Sequence, residues 1–296
     1  MRKNGLLWGL FLLAAIVCAG ESRDMIAQRQ AFRREVEAHP EKTAQYLSSP
    51  DEEIRRYALY LIVREQGAEA KEVCKTAMKD PDEQVRLTAL EALLYYCRKD
   101  ADMQKLFAET ASSDTSRKIA KLASDASWPF YREVVLIRNN PFWDHEVTTL
   151  RKDPIPDTDW KFKTDPRGIG HLPNQKWYRE EIDETGWRSI RLGVWEKQGF
   201  DYDGIAWYRI RFTMPEKMDC NAVELAFGAV DESAWVWLNG VYLGCHDIGL
   251  TGWNVPFALD CTKEICWDEE NVLVVRVLDT AQSGGIWKPI HVEILK

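Results

Sequence analysis

Trp235-Val236-Trp237-Leu238-Asn239-Gly240-Val241-Tyr242-Leu243-Gly244 is the stretch that decides the fold class of this chain. Asparagine and glycine both tolerate the positive φ that a two-residue hairpin turn demands, so Asn239-Gly240 splits the run into two β arms. Working outward, residues 205–214, 223–230, 271–278 and 289–295 are further apolar runs with period-two alternation, separated by turn residues. From Trp160 onward the pattern reads as an antiparallel β-sandwich. Helical signals nearly vanish there. The main exception is a short turn after Asp260-Cys261-Thr262, where Asp260 and Thr262 can cap backbone N–H groups.

Upstream the period changes. Ser49-Pro50-Asp51-Glu52-Glu53-Ile54-Arg55 returns as Asp80-Pro81-Asp82-Glu83-Gln84-Val85-Arg86, and the agreement continues through Ala58-Leu59 and Ala89-Leu90. Each phrase reads as a helix start, with Ser49 or Asp80 as the capping side chain, proline at the first helical position and glutamate closing a capping box. Ile54, Ala58, Leu59, Leu61 and Ile62, like Val85, Ala89, Leu90 and Leu93, then recur at helical spacing. A third, degraded copy begins at Ser113-Asp114 and leads to Ile119, Ala120 and Leu122. Over residues 41–126 this pattern resembles the HEAT-like helical repeats, which implies a short stack of helices acting as a binding surface or docking platform. Two full copies and a weak third are few for a continuous core, so an end face is expected to pack on the adjoining domain.

The chain has 296 residues, of which 45% are hydrophobic and 29% charged, the composition of a globular protein with room for about two domains. Its net charge of −8 argues against a nucleic-acid partner, because no basic excess is present to neutralise phosphates. The thirteen tryptophans divide the chain as the periodicity does: Trp8 stands near the start, none lies between Arg23 and Ser127, and the rest run from Trp128 to Trp287. Met1-Arg2-Lys3-Asn4, the apolar residues 5–17 and the small residues at Cys18-Ala19 read as a secretory signal cleaved after Ala19. A rival reading makes Cys18 the lipid-bearing cysteine of a bacterial lipoprotein, the one route by which a membrane becomes a partner. Both readings expect a periplasmic or extracellular protein. Cys74, Cys97, Cys220, Cys245, Cys261 and Cys266 remain, either paired within their own domains or kept as buried thiols. The expected plan is a signal peptide over 1–19, helical repeats over 24–126, a linker and approach to the sandwich over 127–159, and the β-sandwich over 160–296.

Six motifs then occur in an ordered series: Trp195-Glu196-Lys197-Gln198-Gly199, Tyr202-Asp203-Gly204-Ile205-Ala206-Trp207-Tyr208-Arg209, Val236-Trp237-Leu238-Asn239-Gly240, Asp260-Cys261-Thr262, the run 271–277, and Gly284-Gly285-Ile286-Trp287. Over residues 160–295 they resemble the N-terminal sugar-binding domain of glycoside hydrolase family 2, a jelly roll of the galactose-binding type. The resemblance implies a carbohydrate partner. It does not imply hydrolysis, because that family's catalytic carboxylates sit on a separate (β/α)₈ barrel of about 250 residues, and no stretch here is patterned as one. No catalytic residue is therefore expected. The enzymatic alternative is a glycoside hydrolase, or an accessory subunit of one, working through two of Glu196, Asp203, Asp231 and Glu232. A further alternative is an envelope scaffold whose helical repeats take a protein partner. His39, His145, His171, His246 and His291 lack metal-ligand spacing, and no phosphate loop or nucleophile motif is present. No cofactor is expected, with a structural calcium left open.

A sugar site combines an aromatic ring for the C–H face of a pyranose with acids, amides or arginine for its hydroxyls. Trp253, in the loop 249–256 beside His246 and Asp247, meets this description best. Trp287, after Gly284-Gly285, and Asp203, in the loop before Trp207, come next. Arg209 alternates with Trp207 on one strand face, with Tyr208 and Ile210 on the other. Trp235 and Trp237 also share a face, opposed by Val236 and Leu238, and either pair can be the one in the core.

Overall fold

The computed structural model describes residues 23–133, 135, 137, 138 and 146–296. The proposed signal peptide with Cys18, and also His145, lie outside the described residues. Among the described residues no helix is long and apolar enough to cross a membrane. The chain divides into two compact units, one ending at Asp100 and one starting at Ala101.

The first unit holds α1 (Arg23–Ala38), α2 (Glu52–Gln66), α3 (Lys71–Ala77) and α4 (Glu83–Tyr96). Phe32 and Val36 of α1 pack with Ile54 and Ala58 of α2. The repeated phrases open α2 and α4, but the caps fall two residues later than the sequence suggests. Asp51 accepts from the Ile54 N–H at 3.1 Å, and Asp82 from those of Gln84 and Val85 at 2.9 and 3.1 Å. Ser49 and Asp80 instead accept from the N–H of Asp51 and of Asp82, at 3.2 and 2.8 Å. Proline has no N–H, so the residue before it serves the residue after it, and the aspartate is left to serve the helix. Arg55 and Arg86 fold back in the same way, Nη1 donating to the carbonyls of Ser49 and Pro50 in one copy and of Asp80 and Pro81 in the other. Arg55 also grips the Asp80 carboxylate at 2.8 and 2.9 Å, tying one copy to the next.

The second unit begins with α5 (Ala101–Ser113) and α6 (Arg117–Ala126). Here Asp114 accepts from the Ser116 N–H at 2.8 Å and Ser116 caps α6 through the Ile119 N–H, so the third copy repeats the turn of the first two. Ala120 stands where Arg55 and Arg86 stand in the full copies, and Arg167, from the β part, supplies the guanidinium instead, donating to the carbonyls of Ala111 and Asp114 at 3.0 and 2.9 Å. The Ser124 hydroxyl donates to the Gly168 carbonyl at 2.5 Å. This helical pair is thus fastened to a loop of the β domain.

The strands are β1 (Thr149–Pro154), β2 (Trp160–Thr164), β3 (Arg188–Ile190), β4 (Gly193–Val194), β5 (Gly204–Thr213), β6 (Ala222–Phe227), β7 (Ser233–Leu238), β8 (Val241–Asp247), β9 (Phe257–Asp260), β10 (Glu270–Asp279), β11 (Gly285–Ile286) and β12 (Ile290–Leu295). Among the described residues they form a sheet β1-β12-β6-β9, a sheet β3-β2-β5-β10-β7-β8 and a small pair β11-β4, every strand pairing antiparallel. Asn239 and Gly240 turn β7 into β8 at φ 52° and 74°, as the hairpin reading requires. The two large sheets share one apolar core. Val223, Leu225, Phe227, Val292 and Ile294 meet Tyr208, Ile210, Val236, Leu238, Leu273 and Val275.

The tryptophan excess is explained by a second layer on the outer face of the six-stranded sheet. Trp207, Trp237, Ile205, Val272 and Val274 point outward and are covered by Trp177, Trp187 and Tyr178 from the long loop after β2 and by Trp128 and Phe130 from the segment after α6. Both faces of β7 are therefore used: Val236 and Leu238 enter the inter-sheet core while Trp237 lies under the aromatic cover. Cys220, Cys245, Cys261 and Cys266 carry free thiols, and Cys74 and Cys97 are buried.

Candidate functional site

Strand register gathers the candidates at one end of the large sheet. Gly204 lies opposite Asp279, and Ser233 lies opposite both Leu278 and Asp247. The start of β5, the end of β10, the start of β7 and the end of β8 therefore share that end. From it leave the loops bearing Asp203, Asp231 with Glu232, the residues after Asp247, and the residues from Thr280 to Trp287. Glu196 joins them because its Oε1 accepts from the Gly284 N–H at 3.1 Å, while the Gly284 carbonyl accepts from the Trp195 N–H.

Five carboxylates converge. Oxygens of Glu196, Asp203 and Asp279 lie within 4.8 Å of one another, and so do oxygens of Asp231, Glu232 and Asp279. Asp279 is common to both groups. Backbone and hydroxyl donors hold one side of the cluster: Ala281 N–H to Asp279 Oδ1 at 2.9 Å, and Thr280 N–H and Oγ1 to the two Glu232 oxygens, each at 2.9 Å. Glu232 sits at φ 35°, a left-handed backbone that a glutamate adopts at a cost. Burial, then the charges of Asp279 and Glu232, hold the Asp231 carboxyl above the usual carboxylate range. Asp279 is also held high, chiefly by burial, against the Ala281 N–H, with Asp203, Glu196 and Glu232 adding repulsion.

Trp253 lies in the loop that leaves the same end of the sheet after Asp247 and is 55% exposed, with Ile248, Leu250 and Val255 exposed in the same loop. Its loop is anchored through buried Gly252, where a Cβ would fall 2.4 Å from the Glu232 carbonyl oxygen. Trp287 is half-buried, with its backbone N–H bonded to the Ala229 carbonyl at 3.1 Å. His246 stacks on Phe257 at 4.5 Å between ring centres, and burial lowers its pKa against the pull of Asp247. Asp247 is exposed and accepts from Ser233 Oγ at 2.7 Å. Asp203, His246, Asp247, Trp253 and Trp287 thus belong to one end of the sheet.

Trp207 and Arg209 do not. Trp207 is fully buried and donates its indole N–H to Asp165 Oδ2 at 2.9 Å. Arg209 is 1% exposed, and its guanidinium donates to the carbonyls of Trp177, Arg179 and Glu180 at 2.7–2.8 Å and to Glu184 Oε1 at 3.1 Å. Their shared strand face, offered by the sequence as a candidate joint surface, is closed by a loop that the sequence did not announce as a cover. Two cavities of about 290 and 400 Å³ lie elsewhere, one beside Arg209 and Lys161, the other between α6 and the residues after β2. Sequence reasoning missed Asp279 and Tyr208. Asp279 closes the run 271–278 as an acid at a strand end, which was the available signal. Tyr208 gave none, being one of several inward aromatic residues.

Residues 169–283 match the family model of the β-galactosidase second all-β domain. A β-glucuronidase of Formosa agariphila is 28% identical over 129 residues, 41% of this chain and 13% of that protein. A β-galactosidase of Bacteroides ovatus is 35% identical over 85 residues, 28% of this chain and 9% of its own length. The chain thus spans only a small part of these relatives. A solved β-glucuronidase from Ruminococcus gnavus aligns with a TM-score of 0.42 and 18% identity over 49% of this chain and 30% of that one. The second half of this chain is a β domain similar to those of family 2 glycoside hydrolases.

Proposed function

We propose that this chain is an exported, non-catalytic carbohydrate-binding protein, with the sugar held at the loop end that bears Trp253 and the helical unit acting as a HEAT-like docking platform. The observation that carries the reading is an exposed tryptophan whose loop is anchored, through Gly252, on the main-chain carbonyl of Glu232 at the end of the sheet where Asp203, Asp247 and Trp287 also lie. An aromatic face beside acids suits a pyranose, whose C–H face stacks while its hydroxyls donate. The matching relatives are named β-glucuronidase and β-galactosidase, so glycans bearing glucuronic acid or galactose are the first ligands to try. Asp231 and Asp279 are buried, which suits a structural role better than contact with substrate.

The test is affinity electrophoresis and calorimetry against a panel of such glycans. Wild-type protein is expected to bind, and Trp253→Ala to weaken binding at least about tenfold with unchanged circular dichroism, as the loss of one stacking ring should. Failure of the wild type to bind any glycan overturns the reading. So does hydrolysis of a chromogenic glucuronide or galactoside that Glu196→Gln abolishes.

A further inference from the structure

We propose that the carboxylates at the loop end form a binding site for a hard divalent cation, calcium in the first place, with Glu196, Asp203, Asp231 and Asp279 supplying the oxygens. Of the buried acids elsewhere, Asp51 is matched by Arg29 and Glu224 and Glu293 by Arg138, while Asp165 has both oxygens filled by the N–H groups of Ile169, Gly170 and Trp207. Among the described residues no lysine or arginine forms an ion pair with any of the five acids at the loop end. A buried charge needs either a counter-charge or a metal.

The individual oxygens say which. Glu196 Oε1 and Asp279 Oδ1 are each held by a backbone N–H, while their other oxygens, Glu196 Oε2 and Asp279 Oδ2, are buried with no hydrogen-bond partner, as is Asp231 Oδ2. Asp279 is fully buried and Asp231 is 4% exposed. Orienting one oxygen of a carboxylate and leaving the other bare is how proteins present ligands to a metal. Tyr208 adds an independent sign from the sheet itself. Its hydroxyl is fully buried with no hydrogen-bond partner, and lies near enough to Glu196 and Asp231 to feel their charges. The oxygens of Glu196, Asp203 and Asp279 lie within 4.8 Å of one another, about twice a calcium–oxygen bond of roughly 2.4 Å, so one ion reaches these three, and Asp231 brings a further oxygen within the same distance of Asp279. An all-oxygen, anionic donor set selects calcium, magnesium or manganese over zinc or copper. Asp203, exposed at the rim, leaves a way in.

The experiment is titration of calcium into the EDTA-stripped full chain, read by calorimetry and thermal unfolding, with no glycan present, so that it stands or falls apart from the sugar-binding reading. Saturable binding is expected, with a rise in Tm of about 5 °C or more at roughly 1 mM calcium, reversed by EDTA. Asp203→Asn, at an exposed position that leaves the core intact, should weaken calcium at least about tenfold. No heat and no Tm shift with calcium, magnesium or manganese at about 10 mM overturns the proposal and leaves the acids sharing protons instead. Calcium binding that is unchanged in both Asp203→Asn and Asp279→Asn overturns it equally, by placing the ion elsewhere.

Discussion

Arg209 offers the sharpest test of whether the outer aromatic layer is structural. Replacing it with methionine keeps much of the apolar stem and removes a guanidinium that is 1% exposed and makes four hydrogen bonds. Burial, with a smaller push from the Arg211 charge, lowers its pKa, and Glu184 opposes that shift. Three of the four acceptors are main-chain carbonyls of Trp177, Arg179 and Glu180, in the loop that lays Trp177 over Trp207. Losing one member of a buried charged network costs about 3–5 kcal/mol, because the acceptors stay desolvated. For a unit of this size that is roughly 10 °C in Tm. Tryptophan emission reports it cleanly, since no tryptophan lies between Arg23 and Ser127. Urea titration followed by emission and near-ultraviolet circular dichroism is expected to show an early transition for Arg209→Met. Arg209→Lys should recover only part of the loss, as an ammonium cannot reproduce the fork. A loss under about 1 kcal/mol refutes the reasoning, and weakened glycan binding at unchanged stability would return Arg209 to the ligand site.

Three further outcomes are expected. His171 is buried between Trp128 and Ser127, and burial, with the Arg276 charge, lowers its pKa from 6.5 to about 3. The neutral ring is favoured in the fold and the unfolded chain takes up the proton. Its contribution is therefore present above pH 6.5 and lost as pH falls toward 3, by up to about 1.4 kcal/mol per pH unit, and chemical denaturation should show a flatter acid limb in His171→Leu than in wild type. Gly284→Ala would place a Cβ 2.1 Å from Trp195 and 2.7 Å from Asp279 Oδ2, so the β unit should lose about 2 kcal/mol or more in the same urea assay, and wild-type stability would show that the loop relaxes freely. Asp82→Ala removes the α4 cap and should cost the helical unit about 1 kcal/mol by far-ultraviolet circular dichroism, whereas a larger effect for Asp80→Ala would reflect the added loss of its tie to Arg55.

The hairpin at Asn239-Gly240, the alternating strands and the twice-repeated helix start were all legible in the sequence, and so was Trp253 as the exposed ring. The cap position was misplaced by two residues because Ser49 and Asp51, like Asp80 and Asp82, are equally good acceptors, and only the turn over proline settles which donor each one takes. The placement of Trp207 and Arg209 was illegible for a different reason. Alternation says that two residues share a strand face, but it does not say whether a loop from elsewhere closes that face.

By itself the sequence determined the local elements, because turn dihedrals, caps and side-chain periodicity are settled by residues only a few positions apart. The tertiary structure alone decided that Trp207 and Arg209 are sealed beneath Trp177 and its loop, that Arg167 completes the third helical copy, and that Asp279 meets Glu196, Asp203 and Asp231 at one end of the sheet. Those encounters are fixed by strand register and loop crossings between distant parts of the chain. They bring like charges together at a place where no local propensity would have put them.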